Sequence, residues 1–364
     1  MSKIGIYIHV PFCKKKCDYC DFYSVENGYP LFETYENAVI AALRKYGQEI
    51  KRTADTLYFG GGTPSLLPPE RIGRIIDECL SSFGLDGAEI TLECNPSTVY
   101  EGYFEKIAEA GVNRVSLGLQ SAIDEERKLL GRISSSRDAL NAVTLAKNAG
   151  ILNVSLDLML GIPNQTKESL KRSVDFAAGT GARHISAYIL KAEKNTPLYK
   201  RRNVLPTDDE QAELYLEACE EIKKCGYIQY EISNFCKEGF ESRHNLKYWK
   251  SEEYLGIGPA AHSFIDSKRF YYPRSVRDFI SGCAPVPDGE GGDYDEFAML
   301  RLRLSEGLSE KMLISRFGRG FSKNARAKIP QFEKSSLLTF DGDTLRLTEK
   351  GFLVSNYLIA EILE

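Results

Sequence analysis

Six short runs of apolar, β-branched and aromatic residues recur along the first half of the chain, with helical patterns between them. They are IGIYIHV (4–10), TLYFGG (56–61), EITLECN (89–95), RVSLGLQ (114–120), NVSLDLML (153–160) and HISAYIL (184–190). Each has the length and composition of a strand. Residues 32–51 place apolar side chains at helical spacing. Pro68 and Pro69 open a helix over 68–82, with Glu70 in its first turn. The stretches 98–110, 136–149 and 166–179 behave alike, and Gly111, Gly150 and Gly181 sit just past helix ends, where a left-handed residue is wanted. Such alternation predicts a parallel sheet with helices outside it. Six units fall short of the eight that close a barrel, so the expected α/β fold is a partial (βα)6 TIM-like barrel. Chemistry in such barrels sits at the C-terminal ends of the strands.

Three cysteines follow the first run directly. Cys13, Cys17 and Cys20 lie in PFCKKKCDYCDF with the spacing C-x3-C-x2-C. Three thiolates this close can hold three corners of a [4Fe–4S] cluster and leave the fourth iron open to a small molecule. Ordinary electron-transfer clusters take four cysteines, whereas an open position marks a site built for chemistry. A zinc site would need a second Cys or His pair at close spacing, and no second C-x2-C exists in the sequence. Nine cysteines in a long chain do not suit a disulfide framework. Cys79, Cys94, Cys219, Cys225, Cys236 and Cys283 read as small buried hydrophobes.

Composition narrows the class. The chain has 364 residues, enough for one large domain and a smaller one, and 43% hydrophobic residues argue against disorder. A net charge of −4 gives no drive toward nucleic acid or an anionic membrane. The opening MSKIGIYIHVPFCKKK lacks the features of a signal peptide, and no run approaches a transmembrane segment. Cysteines without a secretion signal point to a reducing, cytoplasmic setting.

Polar residues gather at the expected strand ends. Tyr7 and His9 lie on the strand that feeds the cysteine loop; Tyr7 is placed to line a cofactor site, and His9 reads equally as a half-buried strand residue. GGGTPS (60–65) ends the second run, and its glycines allow close approach to the ammonium and carboxylate of a free amino acid. No Lys-Ser/Thr pair follows, which excludes a P-loop. Glu93, Gln120 and Asp157 fall at or near the ends of the third to fifth runs, and Arg132 follows a short helix after the fourth. A carboxylate suits ribose hydroxyls, and an arginine fork suits a carboxylate.

After residue 200 the pattern changes. A helix over 207–225 precedes a strand-like YIQYEISNF (227–235), and PVPDGEGGD (285–293) reads as a linker. Residues 294–364 predict a small helical domain ending in a hairpin around Asp341-Gly342-Asp343, a winged-helix-like shape. Without a basic helix, packing or docking suits that domain better than groove reading. The expected organisation is a barrel over 1–200, an extension over 201–290 and the C-terminal domain over 291–364. RHNLKYW (243–249) offers an imidazole, His244, and two flat aromatics, Tyr248 and Trp249. LGIGPAAHSF (255–264) offers a second imidazole, His262, and His184, opening a strand, reads as structural.

In combination the chain resembles the radical S-adenosylmethionine (SAM) enzymes. More narrowly it resembles the group that contains oxygen-independent coproporphyrinogen III oxidase and a branch of haem chaperones. The resemblance rests on YIHVPFC (7–13), GGGTPS (60–65), TLECNP (91–96), GVNRVSLGLQS (111–121), LGR (130–132) and DLMLGIPNQT (157–166), and spans essentially the whole chain. It implies cluster ligation by Cys13, Cys17 and Cys20. It implies contacts to SAM from Tyr7, Gly61, Gly62, Thr63, Glu93, Gln120, Arg132 and Asp157. In that superfamily the open iron binds the amino and carboxyl groups of SAM, and an electron from the cluster cleaves it to a 5′-deoxyadenosyl radical.

Three features choose the branch. The oxidase carries a further cysteine two residues after the third, where Phe22 stands here. Its long N-terminal arm has no counterpart in the six residues before Tyr7. RHNLKYW and LGIGPAAHSF (255–264) match the chaperone branch, although Ser134 stands where that branch often has histidine. The resemblance implies a protein that binds a [4Fe–4S] cluster, SAM and haem and passes haem to an acceptor protein, as a monomer or cluster-dependent dimer. His244, Tyr248, Trp249 and His262 are the candidate haem residues. The rival is the oxidase reaction itself, oxidative decarboxylation of two propionates of coproporphyrinogen III in porphyrin biosynthesis. A radical enzyme acting on an unrelated substrate is a third reading.

Overall fold

All six runs form strands: β1 (Ile4–Val10), β2 (Ala54–Gly61), β3 (Glu89–Cys94), β4 (Arg114–Gln120), β5 (Asn153–Leu160) and β6 (His184–Ile189). The computed structural model describes residues 3–364, so the first two residues of the opening segment lie outside the described residues. The six strands pair in parallel in chain order. The connections carry α1 (Phe32–Ile50), α2 (Pro69–Phe83), α3 (Tyr103–Glu109), α4 (Asp124–Leu129), α5 (Ser136–Asn148) and α6 (Lys167–Gly179). Gly111, Gly150 and Gly181 adopt positive φ just past helix ends. The α3 helix starts later than the pattern from residue 98 suggests, because the Asn95 carboxamide oxygen accepts from the Ser97 N–H at 3.1 Å and holds a turn there.

Alternation within β1 shows how the sequence builds two faces. Ile4, Ile6, Ile8 and Val10 are fully buried toward the helices, while Gly5, Tyr7 and His9 fall on the opposite, barrel-interior face. The sheet does not close. With α7 (Asp208–Lys224), β7 (Ile228–Gln229), β8 (Asn234–Cys236), α8 (Arg243–Trp249), β9 (Tyr254–Ile257), β10 (His262–Ile265), β11 (Lys268–Tyr271) and β12 (Val286–Glu290), its order is β12-β11-β10-β9-β1-β2-β3-β4-β5-β6-β8-β7. The open barrel is thus extended at both edges.

Two readings of the second half change. The expected linker contains β12, an edge strand exposed at every position, whose Pro287, Asp288 and Glu290 suit an edge that pairs on one side only. The 227–235 run splits into β7 and β8, which pair antiparallel. Its apolar pattern is too short to reveal the bend between them.

The C-terminal segment holds helices Tyr294–Arg301, Glu310–Phe317 and Lys323–Lys334 and a three-stranded antiparallel sheet. Its hairpin turns at Asp341–Gly342–Asp343, with Gly342 at φ +95° and the Asp341 carboxylate accepting from the Thr344 N–H at 2.8 Å. The chain does not end there: helices Glu349–Leu353 and Ser355–Leu363 follow and bury Leu358, Ile359 and Ile362. Among the described residues, no helix is long and apolar enough to cross a membrane.

Helix α8, which carries RHNLKYW, plugs the barrel at the N-terminal ends of its strands. A Cβ on Gly5 would lie 2.8 Å from Lys247 Cδ and 3.2 Å from His244 Cε1, so only glycine lets the helix enter. The Glu89 carboxylate, at the start of β3, accepts from the Arg243 and His244 N–H groups at 3.2 Å each, an anion at a helix N-terminus.

Candidate cofactor-binding site

The loop after β1 is pinned before it carries any chemistry. Phe12–Cys13 pairs with Val25–Glu26, the Val25 N–H donates to Pro11 O at 2.7 Å, and the Cys20 N–H donates to Cys17 O at 3.1 Å. Cys13 is buried and Cys17 and Cys20 are half-buried. The three thiols face one cavity of about 1030 Å³ at the C-terminal ends of the strands. Tyr7, Gly61, Gly62, Thr63, Glu93, Gln120, Arg132, Asp157, Tyr248 and His262 line the same cavity. His244 and Trp249 do not; Trp249 lies against the Arg303 guanidinium, 5.8 Å from its ring centre.

The donor set fits a multi-iron cluster. Among the described residues, no three Cys, His, Asp or Glu side chains converge as a single metal ion requires. Three thiols ringing an open space suit a larger group. Each end of the ring has a donor aimed at sulfur: Thr63 Oγ1 lies 3.6 Å from Cys13 Sγ, and Arg132 Nη1 lies 3.7 Å from Cys17 Sγ. Hydrogen bonds of this kind stabilise thiolates and tune bound clusters.

The remaining lining fits a zwitterion with a sugar. Arg132 is held by donating to the Gly118 carbonyl, yet its buried Nε has no partner. Gln120 occupies the left-handed region at φ +69°, where the β4–β5 register shifts, so its side chain turns into the cavity instead of continuing the strand. Glu93 accepts from Tyr58 Oη at 2.8 Å and from the Gly61 N–H at 3.2 Å. Burial pushes its pKa up to about 7, with the Asp157 charge adding to the rise and both hydrogen bonds opposing it. Burial also raises Asp157, which accepts from Ser116 Oγ at 3.0 Å.

The glycine loop is built for contact with the cysteine loop as well as with a ligand. The Gly62 N–H donates to Val10 O and the Thr63 N–H to Phe12 O, each at 2.8 Å. A Cβ on Gly62 would lie 2.7 Å from Phe12 O and 2.9 Å from Val10 O. These N–H groups are therefore committed within the protein. An ammonium suits this loop better than the carboxylate that sequence reasoning also allowed.

The histidines are arranged differently from their sequence contexts. His244 is buried, with Nδ1 2.8 Å from Thr56 Oγ1 and Nε2 2.8 Å from Tyr248 Oη. Its ring stacks on Tyr58 at 5.1 Å, and burial lowers its pKa to about 3. Both nitrogens are engaged within the fold. His9 is buried rather than half-buried. It donates through Nε2 to the Tyr23 carbonyl at 2.9 Å and meets Tyr7 Oη through Nδ1 at 3.1 Å. His184 bridges Ser155 Oγ and Tyr230 Oη. Only His262 is exposed.

Sequence reasoning missed Arg114. It is 2% exposed at the start of β4, lines the cavity floor, and has an unpartnered Nε. Its charge acts on Glu89, Glu93 and Asp157. An arginine opening a strand that is buried at every position was the available signal.

Comparison with known proteins places this geometry. The Radical SAM superfamily profile matches residues 7–177, and that of the HemN C-terminal domain matches 293–354. Heme chaperone HemW of Escherichia coli is 35% identical over 99% of this chain and 98% of its own length. The HemW proteins of Mycobacterium tuberculosis (35% identical, 99% of this chain, 94% of the relative) and Bacillus subtilis (32%, 98% of each) are similar throughout. The structure of coproporphyrinogen III oxidase (HemN) from Escherichia coli superposes with a TM-score of 0.86 over 99% of this chain and 90% of the other, at 19% identity, which speaks to the fold alone. Membership of the radical SAM superfamily implies a [4Fe–4S] cluster and SAM, the groups the cavity fits. With full-length identity at this level, the chain belongs to the radical SAM superfamily and, within it, to the family whose curated members bear the name heme chaperone HemW.

Proposed function

We propose that this protein is a cytoplasmic haem chaperone that binds haem and passes it to an acceptor protein. The observation that carries this reading is the 35% identity to HemW proteins over 99% of the chain. Cys13, Cys17 and Cys20 would ligate the cluster. Glu93 and Asp157 would face the hydroxyls of SAM, Arg132 its carboxylate, and the Gly61–Thr63 loop its ammonium, with Tyr7 and Gln120 against the rest. When bound, the cluster and SAM supply one-electron reductive chemistry at the open iron. The chain's own residues bind, orient and shield: Tyr58 and the Gly61 N–H hold the Glu93 carboxylate in place, and the buried Arg114 balances the acids beneath. The division at residues 200 and 290 into barrel, extension and C-terminal domain is part of the same reading, as is a monomer or cluster-dependent dimer.

The test is an anaerobic assay of cluster-reconstituted protein with coproporphyrinogen III, SAM and a low-potential reductant, followed by haem titration. Saturable haem binding without protoporphyrinogen IX supports the chaperone. Turnover to protoporphyrinogen IX makes the protein an oxidase and overturns the reading.

A further inference from the structure

Three of the chain's four histidines are spent inside the fold. His9, His184 and His244 are buried, and each has both ring nitrogens hydrogen-bonded. His262 differs on both counts. Its side chain is 58% exposed, and neither nitrogen makes a hydrogen bond to another described residue. It nonetheless lines the cofactor cavity, at the rim.

The fold holds this imidazole in a ligand-like setting. One face of the ring stacks on Tyr271, with centres 5.2 Å apart and planes 25° from parallel. Asp288 Oδ2 stands 3.9 Å from Nδ1. Histidines that bind metal through one nitrogen are commonly oriented by a carboxylate on the other, which here leaves Nε2 for iron. The loop before β10 presses the site against the end of β1: Gly258 and Ala260 adopt φ of +116° and +65°, and a Cβ on Gly258 would lie 2.5 Å from His9 O. Arg274 ties this wall to the cysteine loop by donating to Asp21 O at 2.6 Å. Beside that tie, Phe22 is 68% exposed, a large apolar ring with nothing covering it. An apolar face, a cation and an unengaged imidazole on one rim match a porphyrin ring, its carboxylates and its iron.

We propose, on the strength of the haem-chaperone reading, that His262 is the axial ligand of the haem iron. The porphyrin lies across the cavity mouth against Phe22, with its propionates toward Arg274. The motif histidine, His244, holds the barrel plug instead.

The experiment titrates the cluster-reconstituted full chain with ferric haem and follows the Soret band, in wild type, His262→Ala and Phe22→Ala. His262→Ala is expected to lose at least about tenfold in affinity and to shift the Soret band. Free imidazole added to that variant is expected to restore the wild-type band, which a merely structural residue would not allow. Phe22→Ala is expected to weaken binding without moving the band. Wild-type binding with an unchanged spectrum and affinity in His262→Ala overturns the ligand assignment and leaves the chaperone reading standing. Failure of the wild type itself to bind haem overturns both.

Discussion

Tyr58 Oη donates to Glu93 Oε1 at 2.8 Å, and that single bond joins the barrel floor to the cofactor cavity. The tyrosine ring stacks on His244 of the plug at 5.1 Å, while the carboxylate it holds lines the cavity. His244 of the plug therefore reaches the cavity through Tyr58, while Tyr248 of the same helix lines it directly.

Glu93 is expected to make SAM binding pH-dependent. Its folded pKa is pushed up to about 7 by burial, helped by the Asp157 charge. The ionised carboxylate accepts from two ribose hydroxyls better than the neutral acid does, so affinity is expected to be constant above about pH 8 and to fall by roughly tenfold in all as the pH drops through about 7. Glu93→Gln is expected to bind roughly tenfold more weakly at high pH, with a flat profile. Equilibrium binding across this range checks it; parallel profiles for wild type and variant refute the assignment.

Cluster assembly is expected to discriminate among cysteines facing one cavity. Cys13, Cys17, Cys20 and Cys94 all line it, but Cys94 lies in β3 and directs its thiol to Leu92 O at 3.7 Å. Alanine at Cys13, Cys17 or Cys20 is expected to abolish iron and sulfide incorporation, and Cys94→Ala to retain it. Iron and sulfide analysis after anaerobic reconstitution decides the matter.

His244→Ala acts on stability. The change leaves a cavity between Thr56, Tyr58 and Tyr248 and strands two hydroxyls. The expected loss is about 2–4 kcal/mol in denaturant unfolding. Haem bound per folded molecule is expected to remain at the wild-type level; its loss in soluble, folded variant protein would restore His244 as a ligand.

Glu231 destabilises the fold at high pH. It is 0% exposed, Oε2 has no partner, and burial pushes its pKa up to about 7 despite the Asn234 side chain and the Ser233 N–H. A folded pKa above the unfolded one means stability that is full below the unfolded carboxyl pKa and lost as pH rises through about 7. Glu231→Gln is therefore expected to gain on wild type between about pH 5 and pH 8, by up to roughly 3 kcal/mol. Denaturation midpoints at the two pH values measure the difference.

How far the sequence reaches depends on how local each feature is. The six barrel strands were legible because each is one short run of the right periodicity, bounded within a few residues of where the run begins and ends. The C-x3-C-x2-C loop, the glycine run and the polar strand ends were legible for the same reason: parallel βα units send every strand end to one face, so residues scattered from Tyr7 to Asp157 gather in one cavity. In the extension only the 227–235 run was legible, as one strand where the structure has two. The exposed β12 carries no alternation, because it buries neither face.

The histidines mark the limit. The sequence alone determined the βα alternation, the three clustered thiols and the family signatures, all properties of neighbouring residues. HNLKYW offered the first candidate imidazole and LGIGPAAHSF the second. Only the tertiary structure separated them: α8 enters the barrel over Gly5 and commits both nitrogens of His244, while the positive-φ turn at Gly258 and Ala260 leaves His262 on the rim. A side chain's remaining hydrogen-bonding capacity is set by partners far away in sequence, here Thr56 for His244, and no local pattern records it.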